Sequence, residues 1–211
     1  MKDRYYFLIL AMFILSFSCT ANKEKKDAAD LSVIESGVLG SEDLEFVSGD
    51  DTNTEEDERG YIINIGDIVP DFTLKTTTGE TFKLSDKRGK IIMLQFTASW
   101  CSVCRKEMPF IESDIWKKHK DNPDFCLLGI DRDEPLDKVL EFVKQTGITY
   151  PMALDPGGDV FSLYAEREAG ITRNVIIDPS FKVAMLTRLY DEEEFASMCK
   201  KIDELLEHKS K

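Results

Sequence analysis

Two cysteines separated by two residues are the part of this sequence best suited to chemistry. Cys101 and Cys104 follow a strongly apolar run, residues 91–96, which predicts a buried strand, a short turn and a helix that carries both thiols in its first turn. A helix N-terminus favours the thiolate form of cysteine through its dipole and its free N–H groups. The second thiol is then close enough to attack a mixed disulfide formed at the first. The spacing therefore predicts a redox-active pair that exchanges thiols and disulfides.

A structural disulfide and half of a zinc site are the other interpretations of this pair. A structural zinc ion needs four ligands. The two histidines of the chain, His119 and His208, lie in unrelated helical segments. We therefore expect neither a metal nor a cofactor at the two cysteines.

The N-terminal residues have the pattern of an export signal. A basic opening precedes an apolar run from Tyr5 to Phe17, which is short for a bilayer span and ends just before Cys19. A small residue followed by cysteine resembles the lipobox of bacterial lipoproteins, although Ser16 stands where that box usually has leucine. We expect a signal peptide over residues 1–18 and a lipid anchor on Cys19. The alternative is an ordinary signal peptide followed by a spare thiol.

The next segment, residues 19–61, is acidic and nearly free of aromatic residues. It contributes most of the formal net charge of −13, and its acidic run from Asp50 to Glu58 is typical of a solvated tether. The apolar residues between Leu31 and Leu39 leave local docking open as an alternative. Residues 62–211 have no basic patch, which argues against binding to nucleic acid. We expect one folded domain over these residues.

Strand and helix patterns alternate along this domain. Strands are predicted at residues 69–74, 81–84, 91–97, 125–130, 175–177 and 183–187. Helices are predicted at residues 102–119 with a kink at Pro109, at 135–146 and around 159–165. A C-terminal helix is predicted from the apolar face formed by Phe195, Met198, Cys199, Ile202, Leu205 and Leu206. This order predicts an α/β fold with a mixed central sheet, flanking helices and an N-terminal β-hairpin extension.

A longer signature surrounds the two cysteines. It comprises residues 66–74, 84–86 and 89–90 and the string from Gln95 to Pro109, in which Trp-Cys-x-x-Cys is followed by Arg-Lys-Glu-Met-Pro. This signature resembles the TlpA/ResA-like thioredoxin family, which is related to the redoxin and AhpC/TSA proteins. The resemblance covers about residues 62–209. It implies a thioredoxin fold and thiol–disulfide exchange in the bacterial cell envelope, often from a membrane tether.

The resemblance also implies roles for individual residues. Cys101 would be the exposed attacking thiol, and Cys104 would resolve the mixed disulfide. Glu107 matches the family's acidic residue and would relay a proton to or from Cys104, the alternative being a solvated glutamate on the helix surface. Trp100 resembles the tryptophan that packs beside the first thiol, the alternative being a plain core residue.

One position departs from the family. A cis-proline normally faces the thiols just before the strand that starts near Val175, and Thr172 stands there in this chain. A cis bond before a residue other than proline costs about 3–4 kcal/mol, so we expect a trans bond. The thiol chemistry would be intact, whereas the substrate groove would differ from the usual one. Cys126 and Cys199 are expected to be free buried thiols, the alternative being a disulfide between them.

These patterns predict a membrane-tethered enzyme of the bacterial envelope that faces the periplasm. The family resemblance implies that it reduces disulfides of exported proteins, with cytochrome c maturation as one such pathway, and a reductase there would draw electrons from a membrane donor. A thiol peroxidase of the peroxiredoxin class is one alternative, but its Pro-x-x-x-Thr-x-x-Cys frame has Leu94 and Ala98 at the proline and threonine positions. A non-catalytic binding module of an envelope assembly is the other.

Overall fold

The computed structural model describes residues 59–209. Its strands are β1 (Thr73–Thr76), β2 (Thr81–Lys83), β3 (Ile91–Thr97), β4 (Phe125–Arg132), β5 (Met152–Asp155), β6 (Arg173–Ile177) and β7 (Val183–Arg188). Its α-helices are α1 (Ser102–Phe110), α2 (Lys117–His119), α3 (Leu136–Thr146) and α4 (Glu192–Lys209). The strands form one mixed sheet in the order β2-β1-β5-β4-β3-β6-β7. The predicted mixed sheet flanked by helices is therefore confirmed.

Strand β3 lies near the middle of the sheet and leads directly to the two cysteines. It pairs in parallel with β4 and antiparallel with β6. Every residue of β3 is buried, as expected for a central strand of a sheet that is covered on both faces. The predicted strand over residues 91–97 is confirmed, and the rigid sheet fixes the point where the chain turns into α1.

Strand β5 is the element that the sequence patterns miss. It has only four residues, too few to show a period, and it follows Pro151 directly. It pairs in parallel with β4 and antiparallel with β1, so it joins the predicted β-hairpin of β1 and β2 to the main sheet.

The helix predicted around residues 159–165 is wrong. The chain forms only short 3-10 turns at Pro156–Gly158 and Phe161–Leu163. The carboxylate of Asp155 accepts the backbone N–H groups of Val160 and Phe161. A helix through residue 165 does not form, since Ala165 pairs with Tyr61 in an isolated antiparallel β-bridge.

The helical segment after the cysteines is continuous but not uniform. Helix α1 is followed by a π-helical segment, Ile111–Trp116, and then by α2. Pro109 lies just before this change. Proline has no N–H to donate within the helix and clashes with the preceding turn, so the helical ladder is disturbed there. Where the sequence predicts a kink, the structure has a wider, π-helical turn just after Pro109.

Helices α3 and α4 agree with the predicted patterns. Pro135 precedes α3, and Gly147 ends it in the left-handed conformation (φ 70°) that glycine adopts most readily. Helix α4 buries one face, formed by Phe195, Met198, Ile202 and Leu206.

Within residues 59–209, no helix is both long enough and apolar enough to cross a bilayer. The predicted signal peptide, the anchor at Cys19 and the acidic tether up to residue 58 lie outside the described residues.

Candidate functional site: a thiol pair at the start of helix α1

Cys101 is the N-cap residue of α1. Its backbone is extended (φ −85°, ψ 109°), and its Sγ accepts a hydrogen bond from the Cys104 N–H at 3.2 Å. The first N–H groups of a helix have no partner within the helix, and the helix dipole favours negative charge there. The strand-to-helix corner therefore places the Cys101 sulfur where a thiolate is stabilised.

The two thiols differ in exposure. Cys101 is 8% exposed and Cys104 is fully buried. The prediction of an exposed Cys101 overstates the accessibility of its side chain, because Thr172 packs against both sulfurs. Cys101 is nevertheless the more accessible thiol, which agrees with its predicted place as the first to react.

Thr172 faces the thiols, at the place where the family has its proline. Its Oγ1 lies 3.1 Å from Cys101 Sγ and 3.2 Å from Cys104 Sγ, and the residue is 2% exposed. The predicted position of Thr172 opposite the pair is thus what the structure shows. Its hydroxyl contact with both sulfurs is a feature that the sequence alone does not predict.

The environments of the two sulfurs separate their protonation states. A hydrogen bond from the Cys104 thiol lowers the pKa of Cys101 to about 6, although burial opposes this change. The Thr172 hydroxyl and the backbone N–H groups of Cys104 and Val103 also lower this pKa. The same bond, together with burial, raises the pKa of Cys104 far above its ordinary value. At neutral pH the pair therefore consists of a Cys101 thiolate and a Cys104 thiol.

Glu107 lies on α1 in the protein interior. It is 2% exposed, so the alternative of a solvated surface glutamate is wrong. Its Oε1 accepts a hydrogen bond from Asn174 Nδ2 at 2.6 Å. Burial raises the pKa of Glu107 to about 7, although hydrogen bonds from Asn174 and Gln95 oppose this increase. A carboxyl with such a pKa gains or loses a proton near neutral pH.

Trp100 precedes the first thiol and is 66% exposed. The alternative of a core residue is therefore wrong. An exposed indole directly before Cys101 gives the surface around the thiol a large apolar component.

Two residues that the sequence interpretation overlooked hold the corner before the thiols. Glu134, in the loop after β4, accepts hydrogen bonds from the Ser99 N–H and, at 2.6 Å, from the Ser99 hydroxyl. Arg105 Nε donates to the Ser99 carbonyl at 2.8 Å, and its guanidinium stacks on the Phe142 ring. Ser99 is thus held through both its N–H and its C=O, two residues before Cys101.

A cluster of buried polar side chains surrounds Glu107. Gln95 in β3 and Asn174 in β6 are fully buried, and the Tyr150 hydroxyl donates to Gln95 Oε1 at 2.7 Å. Asn174 also donates to Thr187 Oγ1 at 2.9 Å. The available signal was Gln95, a polar residue inside the apolar run 91–96, since buried polar groups need specific partners.

The remaining cysteines of the described region lie elsewhere. Cys126 in β4 and Cys199 in α4 are partly buried free thiols, so the expectation of free thiols is confirmed and a Cys126–Cys199 disulfide is not formed. Between residues 59 and 209, no three His, Cys, Asp or Glu side chains are grouped so that they could hold a metal ion. His119 instead pairs with Asp203, with Nε2 3.0 Å from Oδ1.

Comparison with known proteins places this site in a family. Residues 65–186 match the model of the AhpC/TSA family. The chain belongs to that family. Among curated relatives of this AhpC/TSA protein, the thiol-disulfide oxidoreductase ResA of Bacillus thuringiensis subsp. konkukian is 33% identical over 102 residues, which are 48% of this chain. The match spans 58% of the length of that ResA protein.

Two solved structures are similar over most of their own length. The solution structure of a candidate protein disulfide isomerase from Bacteroides thetaiotaomicron is 66% identical, with a TM-score of 0.69, and the match covers 70% of this chain and 93% of that one. The crystal structure of a candidate thiol:disulfide interchange protein DsbE from Chlorobium tepidum is 28% identical, with a TM-score of 0.61 and coverage of 68% and 99%. The predicted thioredoxin fold is confirmed.

Proposed function

We propose that this AhpC/TSA-family protein is a thiol–disulfide oxidoreductase in which Cys101 attacks and Cys104 resolves. The observation that carries the proposal is the placement of the two sulfurs at the start of α1, where Cys101 Sγ accepts the Cys104 N–H at 3.2 Å and Cys104 is fully buried behind it. The lowered pKa of Cys101 and the raised pKa of Cys104 agree with this arrangement. The thiolate is the nucleophile in such exchange, and a buried thiol beside it is the natural second reactant. The names of the ResA and DsbE relatives point to the same chemistry.

The proposed reaction has two exchange steps. The Cys101 thiolate attacks one sulfur of a client disulfide, which breaks the client S–S bond and releases one client sulfur that takes a proton from water. Cys104 then loses its proton and attacks Cys101 Sγ. The mixed disulfide breaks, and the second client sulfur leaves. Two electrons pass from the cysteine pair to the client, and Cys101 and Cys104 end as a disulfide.

Glu107 and Trp100 support these steps in the proposal. The Glu107 carboxyl exchanges protons near neutral pH, which suits a relay for the proton that Cys104 must lose. Trp100 and Thr172 border the entrance to Cys101 and form part of the groove that receives a client.

We further propose the reducing direction and an envelope location. Ser102 and Val103, the residues between the thiols, bring neither a charge nor a histidine that would strongly stabilise the reduced pair. The signal-like N-terminus and the lipobox-like Cys19 support a protein tethered to the envelope membrane and acting on exported proteins, cytochrome c maturation included. Because the envelope lacks a thiol buffer, the pair needs a membrane electron donor.

The peroxidase alternative has less support. Leu94 and Ala98, which stand at the positions of the peroxide-binding proline and threonine, are fully buried apolar residues. They offer no hydroxyl to hold a peroxide beside Cys101.

A Cys104→Ser variant tests the proposal. Without the resolving thiol, Cys101 should stay joined to its client, so we expect mixed disulfides with insulin and with captured envelope proteins, identified by mass spectrometry. The Cys101→Ser/Cys104→Ser double variant should capture nothing and serves as the control. The proposal fails if the single variant also captures nothing and the wild-type protein reduces insulin no faster than dithiothreitol alone.

A further inference from the structure

Asp131 is a buried carboxyl that the proposed exchange reaction does not use. It lies in β4, opposite Thr97 of β3, and it is fully buried. Between residues 59 and 209, no donor forms a hydrogen bond to either of its side-chain oxygens. Burying a charged carboxylate without a donor is costly, so a carboxyl in this position is expected to keep its proton and to donate it to an acceptor.

The acceptor is Glu134, in the loop after β4. Its carboxyl lies within hydrogen-bonding distance of the Asp131 carboxyl, and its two oxygens accept the N–H and the hydroxyl of Ser99. Two carboxyls in direct contact do not both ionise, because their charges repel. Glu134 has the donors that stabilise a carboxylate, and Asp131 has none in the described region. The charge therefore belongs to Glu134 and the proton to Asp131.

Other charged side chains around the pair are engaged elsewhere. Arg105 of α1 donates to the Ser99 carbonyl. Asp155 of β5 pairs with Arg132 in the parallel ladder, and because neighbouring residues of a strand point to opposite faces, it lies on the other face from Asp131. Neither group competes for the shared proton.

Helix α1 also brings a titratable group close to the pair. Thr97, opposite Asp131, contacts the thiol of Cys104. A hydrogen bond to Cys101, together with burial, keeps that thiol protonated, so it adds no charge. The buried side chains of α3, the next helix, are apolar. Burial and the charge of Glu134 then act together on Asp131 and raise its pKa to about 8.

The shared proton matters for the thiols because Ser99 lies two residues before Cys101. The Glu134 carboxylate holds the Ser99 N–H in the corner between β3 and α1. If Asp131 loses its proton, two carboxylates face each other where water is largely excluded, and their repulsion is strong. Glu134 is only partly buried, so it can turn toward solvent and release Ser99.

We propose that Asp131 is a positioning residue whose proton keeps Glu134 on Ser99 and so holds Cys101 at the start of α1. This role rests on the proposed attack by Cys101. One proton passes from Asp131 to water when the corner is released, and it returns when the corner closes again; no other covalent bond changes. The protein is therefore expected to attack disulfides less well in alkaline solution, although alkali favours the thiolate.

Carbon-13 NMR of the reduced protein, labelled at the aspartate carboxyl carbons, measures the proton directly. We expect one carboxyl resonance to titrate near pH 8 and to disappear in Asp131→Asn. The Ser99 amide resonance should shift with the same midpoint, because its acceptor moves. Glu134→Gln removes the neighbouring charge and should lower the Asp131 midpoint by at least about 1 pH unit. Asp137→Asn is the control, since Asp137 is exposed at the start of α3 and should leave both titrations unchanged.

Stopped-flow mixing of the reduced protein with oxidised glutathione measures the attack by Cys101. Asp131→Asn keeps a side-chain donor for Glu134 at every pH, so the ratio of the wild-type rate to the variant rate isolates the effect of the proton. We expect this ratio to be close to 1 at pH 7 and to fall at least about 3-fold by pH 9.5, since a misplaced nucleophile reacts more slowly. Ionisation of Cys101 does not cause the fall, because its pKa is about 6 and the thiolate is already formed.

Two results would overturn the role of Asp131. A carboxyl that does not titrate below pH 9.5 would show that no proton is released in this range. A titrating Asp131 with an unchanged Ser99 resonance, or with a constant rate ratio, would show that the pair only stabilises the fold. The proposed function fails separately. If the wild-type protein does not react with oxidised glutathione at any pH, the exchange chemistry is wrong, whereas the two NMR titrations still decide the state of the pair.

Discussion

The described region contains two sets of cysteines with opposite properties. Cys101 and Cys104 lie at the start of α1, whereas Cys126 lies in β4 and Cys199 in α4, and all four are free thiols. The pKa of Cys101 is lowered to about 6. Burial raises the pKa of Cys126 and raises that of Cys199 to about 11, with Asp114 and Asp203 adding to the latter effect.

Burial does not explain this difference, because Cys101 is itself buried. Cys101 differs in its donors. Its sulfur receives hydrogen bonds from the Cys104 thiol and from the Cys104 backbone N–H, and it contacts the Thr172 hydroxyl. Cys126 is the second residue of β4, and the charges of Lys87 and Lys90 lower its pKa less than desolvation raises it. The comparison teaches that the hydrogen-bond donors around a sulfur decide which thiol of a protein reacts.

The largest expected effect comes from removing the attacking sulfur of the reactive set, with removal of both sulfurs of the other set as the control. Cys101→Ser should lower the rate of insulin reduction by at least about 1000-fold, because the nucleophile is lost. The Cys126→Ser/Cys199→Ser double variant should stay within about 2-fold of the wild type, since neither thiol takes part in covalent catalysis. A loss of activity in the double variant with unchanged thermal unfolding would contradict the division into reactive and inert sets.

The features predicted correctly are those that depend on residues close together in the sequence. Strand β3, the start of α1 and the Cys101–Cys104 spacing belong to one local segment, so their pattern predicts them directly. The Glu134 contact with Ser99 joins residues 35 positions apart, and the Asn174 contact with Glu107 spans 67. Such contacts are decided by how the sheet is assembled.

Thr172 shows the limit of prediction at a single residue. The resemblance placed it opposite the thiols, which the structure agrees with. The distance of its hydroxyl from each sulfur depends on the pairing of β6 with β3 and on the bond from Leu189 to the Thr172 carbonyl. Neither feature has a local sequence signature.

Glu107 provides the second prediction, because the reactive set has a buried acid beside it. The folded state raises the pKa of Glu107 from 4.5 to about 7. Between these pH values the unfolded chain has released the proton that the folded protein retains, so stability falls as pH rises and levels off above about pH 7. The shift corresponds to about 3 kcal/mol in the free energy of unfolding.

Glu107→Gln should remove most of this fall. Urea unfolding between pH 4 and pH 8 measures the effect, with Glu168→Gln, an exposed glutamate, as the control. Because the charges of Glu107 and Cys101 disfavour each other, the variant should also hold the Cys101 pKa at or below its wild-type value. A variant with the same pH dependence as the wild type would show that Glu107 is not the protonated group.

The smallest expected effect tests the comparison without any mutation. At pH 7 about nine-tenths of Cys101 is thiolate, against about one part in ten thousand of Cys199, given pKa values of about 6 and about 11. The more acidic thiolate is intrinsically the weaker nucleophile, and this cancels about 100- to 300-fold of the advantage. Cys101 should therefore react with iodoacetamide about 50-fold faster than Cys199, as measured by mass spectrometry of peptides. In urea the helix start and the Thr172 contact are lost, so both rates should converge within about 2-fold. A ratio that persists in urea would assign the difference to local sequence, whereas convergence assigns it to the fold.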